Sequence, residues 1–247
     1  MGTTYGTLYG IGVGPGDPDH ITLKAVKVLS CVDVIFTASS TKNSHSLAVQ
    51  IAAPHIPKNI PVKRLAFPMC KDLEVLEAAW ESNAQIVAQT LAQGKNAAFL
   101  TLGDCLTYST YGYLSRHILR LAPKATLVAV PGITSYQAAA ARTNRQLVEG
   151  EESLVILSGV KGGHRFRDIA NHTENAVFLK AYRNVADICL ALSENGWAEN
   201  SVGVVSCGLP EERVVNDLSD FKESQPEYWT LILAGRKKGL KLNAQEK

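Results

Sequence analysis

The segment Gly10-Ile-Gly-Val-Gly-Pro-Gly-Asp-Pro18 places a glycine at every second position as it leaves the apolar run Leu8–Val13. Glycines at the carboxyl end of a first strand allow a sharp turn and a close backbone approach to a ligand, although a plain tight turn asks for the same residues. A dinucleotide-binding loop, G-x-G-x-x-G, can be tested directly on this spacing. Counted from Gly10, the last position of that pattern is Pro15; counted from Gly12, it is Asp17. Both registers fail, and Pro15 also removes an amide donor that a pyrophosphate cradle would use. Asp33 stands near the right distance for a ribose-binding acid but at the start of its apolar run, so it reads as a strand-entry or capping group. A NAD-dependent dehydrogenase is therefore the weaker reading of this loop. Metal chemistry finds no support either: His20, His45, His55, His117, His164 and His172 show no ligand spacing. Cys31, Cys70, Cys105, Cys189 and Cys207 form no C-x-x-C pair and are odd in number, which suits reduced thiols in a cytoplasmic protein.

These residues need elements to hold them, and the apolar pattern supplies two series. Leu8–Val13, Asp33–Thr37 and Ala97–Thr101 read as buried strands, with helices expected over Thr22–Ser30, around Ser46–Ala53 and over Leu73–Gln93. In the last of these, Leu76, Trp80, Ile86, Val87 and Leu91 share one face, and Gly94 is placed to stop it. After Pro131-Gly132 a second series follows. Its strands are Ser153–Leu157, Ala176–Leu179, Val202–Ser206 and Trp229–Ala234, and its helices are Thr134–Arg142 and Val185–Asn195. Strand–helix alternation of this kind implies an α/β protein of two domains, the first built on a largely parallel sheet. The expected division is 1–125 and 126–247, with a ligand cleft between the two domains.

Composition narrows the function classes. The 247 residues are 46% hydrophobic and 19% charged, an ordinary globular profile. A formal net charge of +2 gives no general attraction for nucleic acid or an anionic membrane. No stretch has the pattern of a signal peptide or a membrane span, Gly6 stands where a myristoylation signal needs Ser or Thr, and the polar tail from Lys237 is expected to fray.

Three ordered segments resemble the tetrapyrrole methylases, the class III S-adenosylmethionine-dependent methyltransferases. The first is Leu8–Pro18 with Thr22-Leu-Lys-Ala25. The second is Leu102-Gly-Asp-Cys-Leu-Thr-Tyr-Ser-Thr-Tyr-Gly112, and the third is Val130-Pro-Gly-Ile-Thr-Ser135 with Ala138–Arg142. Pro210-Glu-Glu-Arg213 and the closing strand Leu231–Arg236 fit the family's C-terminal half, so the resemblance spans essentially the whole chain. One departure is Cys105, which stands where the family's G-D-P motif has proline. The runs Tyr108–Tyr111, Ser46–Ala48 and Ala138–Arg142 are most similar to the family members that methylate C20 of precorrin-2 or cobalt-factor II. The alternatives are a class III enzyme for another corrin carbon, ribosomal RNA or a diphthamide precursor. Near-neutral charge weighs against RNA.

The resemblance implies a mixed C-terminal sheet and S-adenosyl-L-methionine held largely by backbone groups. The residues implied are Pro15, Leu102, Gly103, Asp104, Thr107, Thr134, Ser135, Ala181, Cys207 and Ala234. Asp104 suits a carboxylate that pairs with the cofactor's amino group, or else a helix N-cap. The implied substrate is a flat ring with several carboxylates. Arg116, Arg142, Lys161, Arg165, Lys180 and Arg183 could meet its charges, and Tyr108, Tyr111 and Tyr182 its face. Within Ser158–Arg167, the glycines beside the basic residues suggest a mobile lid. Asp17, Asp104, Tyr108 and Tyr111 are the candidate bases, unless the ring's own conjugation makes a protein base unnecessary. The family further implies a homodimer.

Overall fold

The computed structural model describes residues 5–39, 46–222 and 227–236; His45 and the tail from Lys237 lie outside them. The chain divides into two compact units, Met1–Thr134 and Ser135–Lys247. The first contains β1 (Thr7–Gly12), α1 (Leu23–Leu29), β2 (Val34–Ser39), α2 (Leu47–Ala52), β3 (Val62–Ala66), α3 (Leu73–Ala92), β4 (Ala97–Thr101), α4 (Tyr111–Leu121) and β5 (Thr126–Val130). Its sheet is wholly parallel, in the order β3-β2-β4-β1-β5. Because β5 pairs with β1, this unit runs past the expected boundary at residue 125.

Both faces of the sheet are covered, which explains why its central strands read as continuous apolar runs. Leu8, Val34, Phe36, Ala97 and Phe99 pack with Val87 and Leu91 of α3 and Leu114 and Ile118 of α4. The alternate residues Ile11, Ile35, Ala98 and Leu100 pack on the other face with Val28 and Leu29 of α1 and Ile51 of α2. The connection leaving β1 therefore runs over one face and that leaving β4 over the other, although these strands are neighbours. The carboxyl ends of β1 and β4 therefore mark a topological switch point, the position at which open α/β sheets bind ligands.

The ends of the helices follow from local chemistry. The Thr22 side chain accepts from the Ala25 amide at the start of α1, and Asp72 accepts from Glu74 and Val75 at the start of α3. Asp33 Oδ2 accepts from the Asn96 amide at the amino end of β4. It thus latches strand entries, at the opposite end from any ribose site.

The second unit contains α5 (Ser135–Arg142), β6 (Leu154–Ser158), α6 (His164–Ile169), β7 (Asn175–Leu179), α7 (Val185–Glu194), β8 (Ser201–Val205), β9 (Arg213–Val215) and β10 (Thr230–Gly235). Its sheet, ordered β6-β7-β10-β8-β9, is mixed: β6 and β7 are parallel and the remaining pairs antiparallel. As a result the carboxyl ends of β6, β7 and β8 and the amino end of β10 share one edge of the unit. Phe166, Phe178 and Trp197 anchor its core, with Phe166 meeting the other two rings edge-on at 5.5 and 4.9 Å. Trp197→Ala is expected to cost about 3–5 kcal/mol of stability in urea unfolding. A loss below about 1 kcal/mol would show that this cluster does not hold the unit together.

Candidate functional site

In the first unit the carboxyl ends of β1, β4 and β5 come together on three glycines. A Cβ on Gly12 would lie 2.5 Å from the Gly103 carbonyl oxygen and 2.8 Å from the Gly132 nitrogen. One on Gly132 would lie 2.2 Å from the same carbonyl. No side chain fits at either position, so glycine is required by backbone-to-backbone contact. Gly14, with φ +85°, and Gly103, with φ +67°, exchange two backbone hydrogen bonds of 3.2 and 2.8 Å, closing the β1 loop onto the β4 loop. Pro15 and Gly16 are buried directly beyond this bridge.

Asp104 ties the third strand end to the other two. Its Oδ1 accepts from the Leu106 amide at 2.8 Å and the Thr107 hydroxyl at 3.3 Å, and its Oδ2 accepts from the Gly132 amide at 3.1 Å. It is not the N-cap of α4, a place taken by Thr110. The buried Cys105 thiol donates to the Val130 carbonyl at 3.5 Å, a second link from β4 to β5 that proline could not make. Burial, helped by the Asp104 charge, pushes this thiol up to about 11.

The tyrosines separate. Tyr108 is half exposed with φ +50°, a strained conformation for a bulky residue immediately after the site loop. Tyr111 instead lies in the core: a Cβ on Gly10 would sit 2.4 Å from its ring, and burial pushes its phenol up to about 12. It is placed to pack under β1 rather than to stack on a ligand or take a proton. Asp17 accepts from the Asp19 amide at 2.9 Å as the cap of a short 3-10 turn. Beside Gly14, the buried His20 Nδ1 has no hydrogen-bond partner, a polar atom that sequence reasoning passed over.

In the second unit Ala181 and Cys207 come to the shared strand edge. The Ala181 amide donates to the Thr230 carbonyl at 3.1 Å, and the Ser206 amide to that of Trp229 at 3.0 Å. Lys180 and Ser206 adopt φ +58° and +52° there, so both loops turn through left-handed non-glycine residues. Ala234 is not with them. It pairs with Ala176 and Ser201 at the far end of β10, buried in the core.

Glu212 gathers the loop after β8. It accepts from the Gly208 amide at 2.7 Å and from Arg142 Nε on α5. Although burial opposes it, the Gly208 amide and Arg142 hold Glu212 below the usual carboxylate range. Burial and then the Glu212 charge push the Cys207 thiol up to about 12. Arg142 is thus engaged within the protein. Arg116 lies over the Tyr113 ring at 5.1 Å, and Tyr113 stacks on Trp80 at 4.2 Å, so Arg116 sits on the α3–α4 surface.

The segment after β6 is pinned, which corrects the expectation of a mobile lid. A Cβ on Gly162 would meet the Asp187 carboxylate at 2.1 Å, and one on Gly163 the Ala191 methyl at 2.3 Å. Asp187 accepts from the Gly163 amide at 2.8 Å and from Arg167, which also reaches Glu194 at 2.7 Å. Asn184 Nδ2 donates to the Val160 carbonyl at 2.7 Å. Arg167, foremost, and the Gly163 amide hold the Asp187 carboxyl down. These glycines serve close packing against α7. Lys161 and Arg165 remain exposed on this fixed segment, as do Lys180 and Arg183 after β7. Among the described residues no group of His, Cys, Asp or Glu could hold a metal ion, and no helix is long and apolar enough to cross a membrane.

A parallel α/β unit whose strand ends meet at glycines is joined in sequence to a mixed-sheet unit whose strand-end loops carry Lys180 and Arg183. The chain belongs to the Tetrapyrrole (Corrin/Porphyrin) Methylases, whose family pattern matches residues 7–221. It is 29% identical over 232 residues to the cobalt-precorrin-2 C(20)-methyltransferase of Salmonella typhimurium, covering 94% of this chain and 97% of that one. It is 30% identical to the precorrin-2 C(20)-methyltransferase of a Sinorhizobium species, covering 94% of this chain and 96% of that one. A probable cobalt-precorrin-2 C(20)-methyltransferase of Methanocaldococcus jannaschii is 39% identical, over 87% of this chain and 92% of that one. Two solved structures share the fold. A cobalt precorrin-4 methyltransferase matches with TM-score 0.73 and 23% identity, over 93% of this chain and 94% of that one. A Thermus thermophilus uroporphyrin-III C-methyltransferase complexed with S-adenosyl homocysteine matches with TM-score 0.65 and 22% identity, over 93% and 97%.

Two outcomes test this geometry. Asp104→Asn keeps the side chain's size but turns an NH2 group toward either Gly132 or the Leu106–Thr107 donors. It is expected to cost about 1–3 kcal/mol in chemical denaturation, and an unchanged midpoint would show that the clasp does not hold the loops. Cys105 and Cys207 keep their protons in the fold to about 11 and about 12, against 9.0 for a free thiol. The unfolded chain then binds fewer protons above pH 9, so stability is full below that point and falls as pH rises toward 12. Unfolding midpoints at pH 8, 9.5 and 10.5 should decline in that order, and the decline should shrink in a Cys105→Ala, Cys207→Ala double variant.

Proposed function

We propose that this chain transfers a methyl group from S-adenosyl-L-methionine to C20 of precorrin-2 or its cobalt-bearing form. The observation that carries this reading is the full-length likeness to relatives from three organisms whose names all specify C20. Two of those names specify the cobalt form, which favours the cobalt-bearing ring as the substrate.

The residues present suit the cofactor. The ends of β1, β4 and β5 meet through backbone at Gly12, Gly103 and Gly132, where a Cβ on Gly12 or Gly132 would collide and Gly103 takes a positive φ, and His20 Nδ1 lies buried beside Gly14 without a partner. Pro15, Leu102, Gly103, Thr107 and Thr134 are the proposed contacts in the first unit, and Ser135, Ala181 and Cys207 those in the second. Asp104 contributes mainly by holding the loop, since both of its oxygens already accept hydrogen bonds. Arg142 acts at one remove, through Glu212, on the Cys207–Gly208 backbone. The cofactor supplies an electrophilic methyl on a sulfonium, and displacement at that carbon demands alignment of the reacting atoms at roughly 3–3.5 Å. The chain's task is to hold both molecules, to exclude water and to offset the ring's carboxylates with Lys161, Arg165, Lys180 and Arg183. We also place the enzyme in the cytoplasm as a homodimer, a reading supported by its free thiols and by the family.

Purified protein with S-adenosylmethionine is expected to add one methyl to cobalt-factor II or precorrin-2, with equimolar S-adenosylhomocysteine released. Mass spectrometry and NMR of the product locate the methyl. Transfer to another carbon, or none with either ring, would sink the C20 reading, and light scattering at a single chain mass would remove the dimer.

A further inference from the structure

At the shared strand edge of the second unit, Tyr228 and Trp229 are 49% and 40% exposed, high values for large aromatic rings that make ordered contacts. They are not loose. Tyr228 meets Trp229 edge-on at 4.6 Å and Tyr182 at 5.1 Å, and the Arg183 guanidinium lies 5.2 Å from the Tyr182 ring centre. The short turn that carries the pair is fixed on both sides. Arg213 on β9 bonds Glu227 at 2.6 Å, the Thr230 hydroxyl donates to the Glu227 carbonyl at 2.7 Å, and the Ser206 amide donates to the Trp229 carbonyl. The fold therefore spends ordering on a row of half-exposed rings.

Charge and location say what the row is for. Lys180, held at a left-handed φ of +58°, and Arg183 flank the rings, and Lys161 lies on the neighbouring loop that Asn184 binds. Ala181 and Cys207, the proposed cofactor contacts of this unit, attach to the same strand through Thr230 and Trp229. An aromatic surface with cations along its rim matches a flat, conjugated ligand carrying peripheral carboxylates.

We propose that Tyr228, Trp229 and Tyr182 form the surface that receives one face of the tetrapyrrole, with Arg183 and Lys180 on its carboxylates. This rests on the methyltransferase reading for the identity of the ligand. It adds Tyr228 and Trp229 as residues that set specificity for a macrocycle.

The probe is uroporphyrin III, a stable octacarboxylate porphyrin, titrated against the full-length protein by absorbance and tryptophan fluorescence. S-adenosylhomocysteine affinity, measured by calorimetry, serves as the readout of intact folding. Tyr228→Ala and Trp229→Ala should each weaken uroporphyrin III by about tenfold with S-adenosylhomocysteine affinity unchanged. Trp229→Phe should retain most of the affinity. Arg183→Ala should weaken uroporphyrin III more than the tetracarboxylate coproporphyrin III. Wild-type affinity in both alanine variants would overturn the proposal, as would failure of the wild-type protein to bind uroporphyrin III at all. If methyl transfer is absent with both precorrin-2 and cobalt-factor II while the alanine variants lose porphyrin binding, the C20 reading fails and the aromatic surface stands. If transfer occurs and the variants behave as wild type, the surface falls and the C20 reading stands.

Discussion

The first unit depends on the contact of three backbones at Gly12, Gly103 and Gly132. Neighbouring strand ends can approach this closely only where no Cβ intervenes, and the two-way bridge between Gly14 and Gly103 follows from that approach. Everything nearby is arranged to hold it. Asp104 stands in for the side chains that cannot be present, reaching the Gly132 amide with one oxygen and the Leu106–Thr107 turn with the other. Cys105 adds a link to the Val130 carbonyl. The strand ends are therefore joined largely through peptide groups, whose directions are set by the strands and whose positions side-chain rotation cannot change.

The second unit reaches comparable rigidity by a different route. Its strand-end loops are fixed by side-chain carboxylates that accept from backbone amides, Asp187 from Gly163 and Glu212 from Gly208, each steadied by an arginine. Two non-glycine residues, Lys180 and Ser206, are held in left-handed conformations on either side of the β10 entry. Such conformations persist only where the surroundings over-determine them. Here the amides that follow or belong to these residues are bonded to the Trp229 and Thr230 carbonyls. Strain and clasp together present the Ala181 and Cys207 backbones at one edge.

The parts legible in the sequence were those with strong patterns. Ala97–Thr101 and the long helix from Leu73 announced themselves by apolar runs and a single apolar face, and the failed G-x-G-x-x-G spacing counted against a dinucleotide enzyme. The edge strands were hard to see for a physical reason. In β3, Val62-Lys-Arg-Leu-Ala66, only Leu65 is buried, so the pattern that marks a strand is absent. In β5 the apolar residues are only half covered, and the run reads equally well as a linker. The Gly162-Gly163 pair misled because its sequence is the same for a hinge and for a close contact. Only the Asp187 carboxylate and Ala191 methyl against it decide between them. Tyr111 misled in the opposite way: its motif position suggested a ligand, but the missing side chain of Gly10 is the space its ring fills. Tyr228 and Trp229 were passed over because they precede a strand without any motif, and their contact with Tyr182 joins segments distant in sequence.

The shifted ionisable groups bear on the kind of catalysis this architecture supports. Acid–base enzymes move the pKa of a group in the site toward neutrality so that it can exchange protons at working pH. Here Cys105, Tyr111 and Cys207 are all pushed away from neutrality, by burial first, and stay uncharged and inert. Asp187 and Glu212 move the other way and remain firmly ionised, each occupied with holding a loop. None of these groups is poised to shuttle a proton. Such a distribution suits a displacement driven by alignment and exclusion of water, in which the protein's chemistry lies in where its peptide groups and rim charges are fixed. The close packing that forbids a Cβ at Gly12 and sets Gly163 against α7 is what fixes those peptide groups.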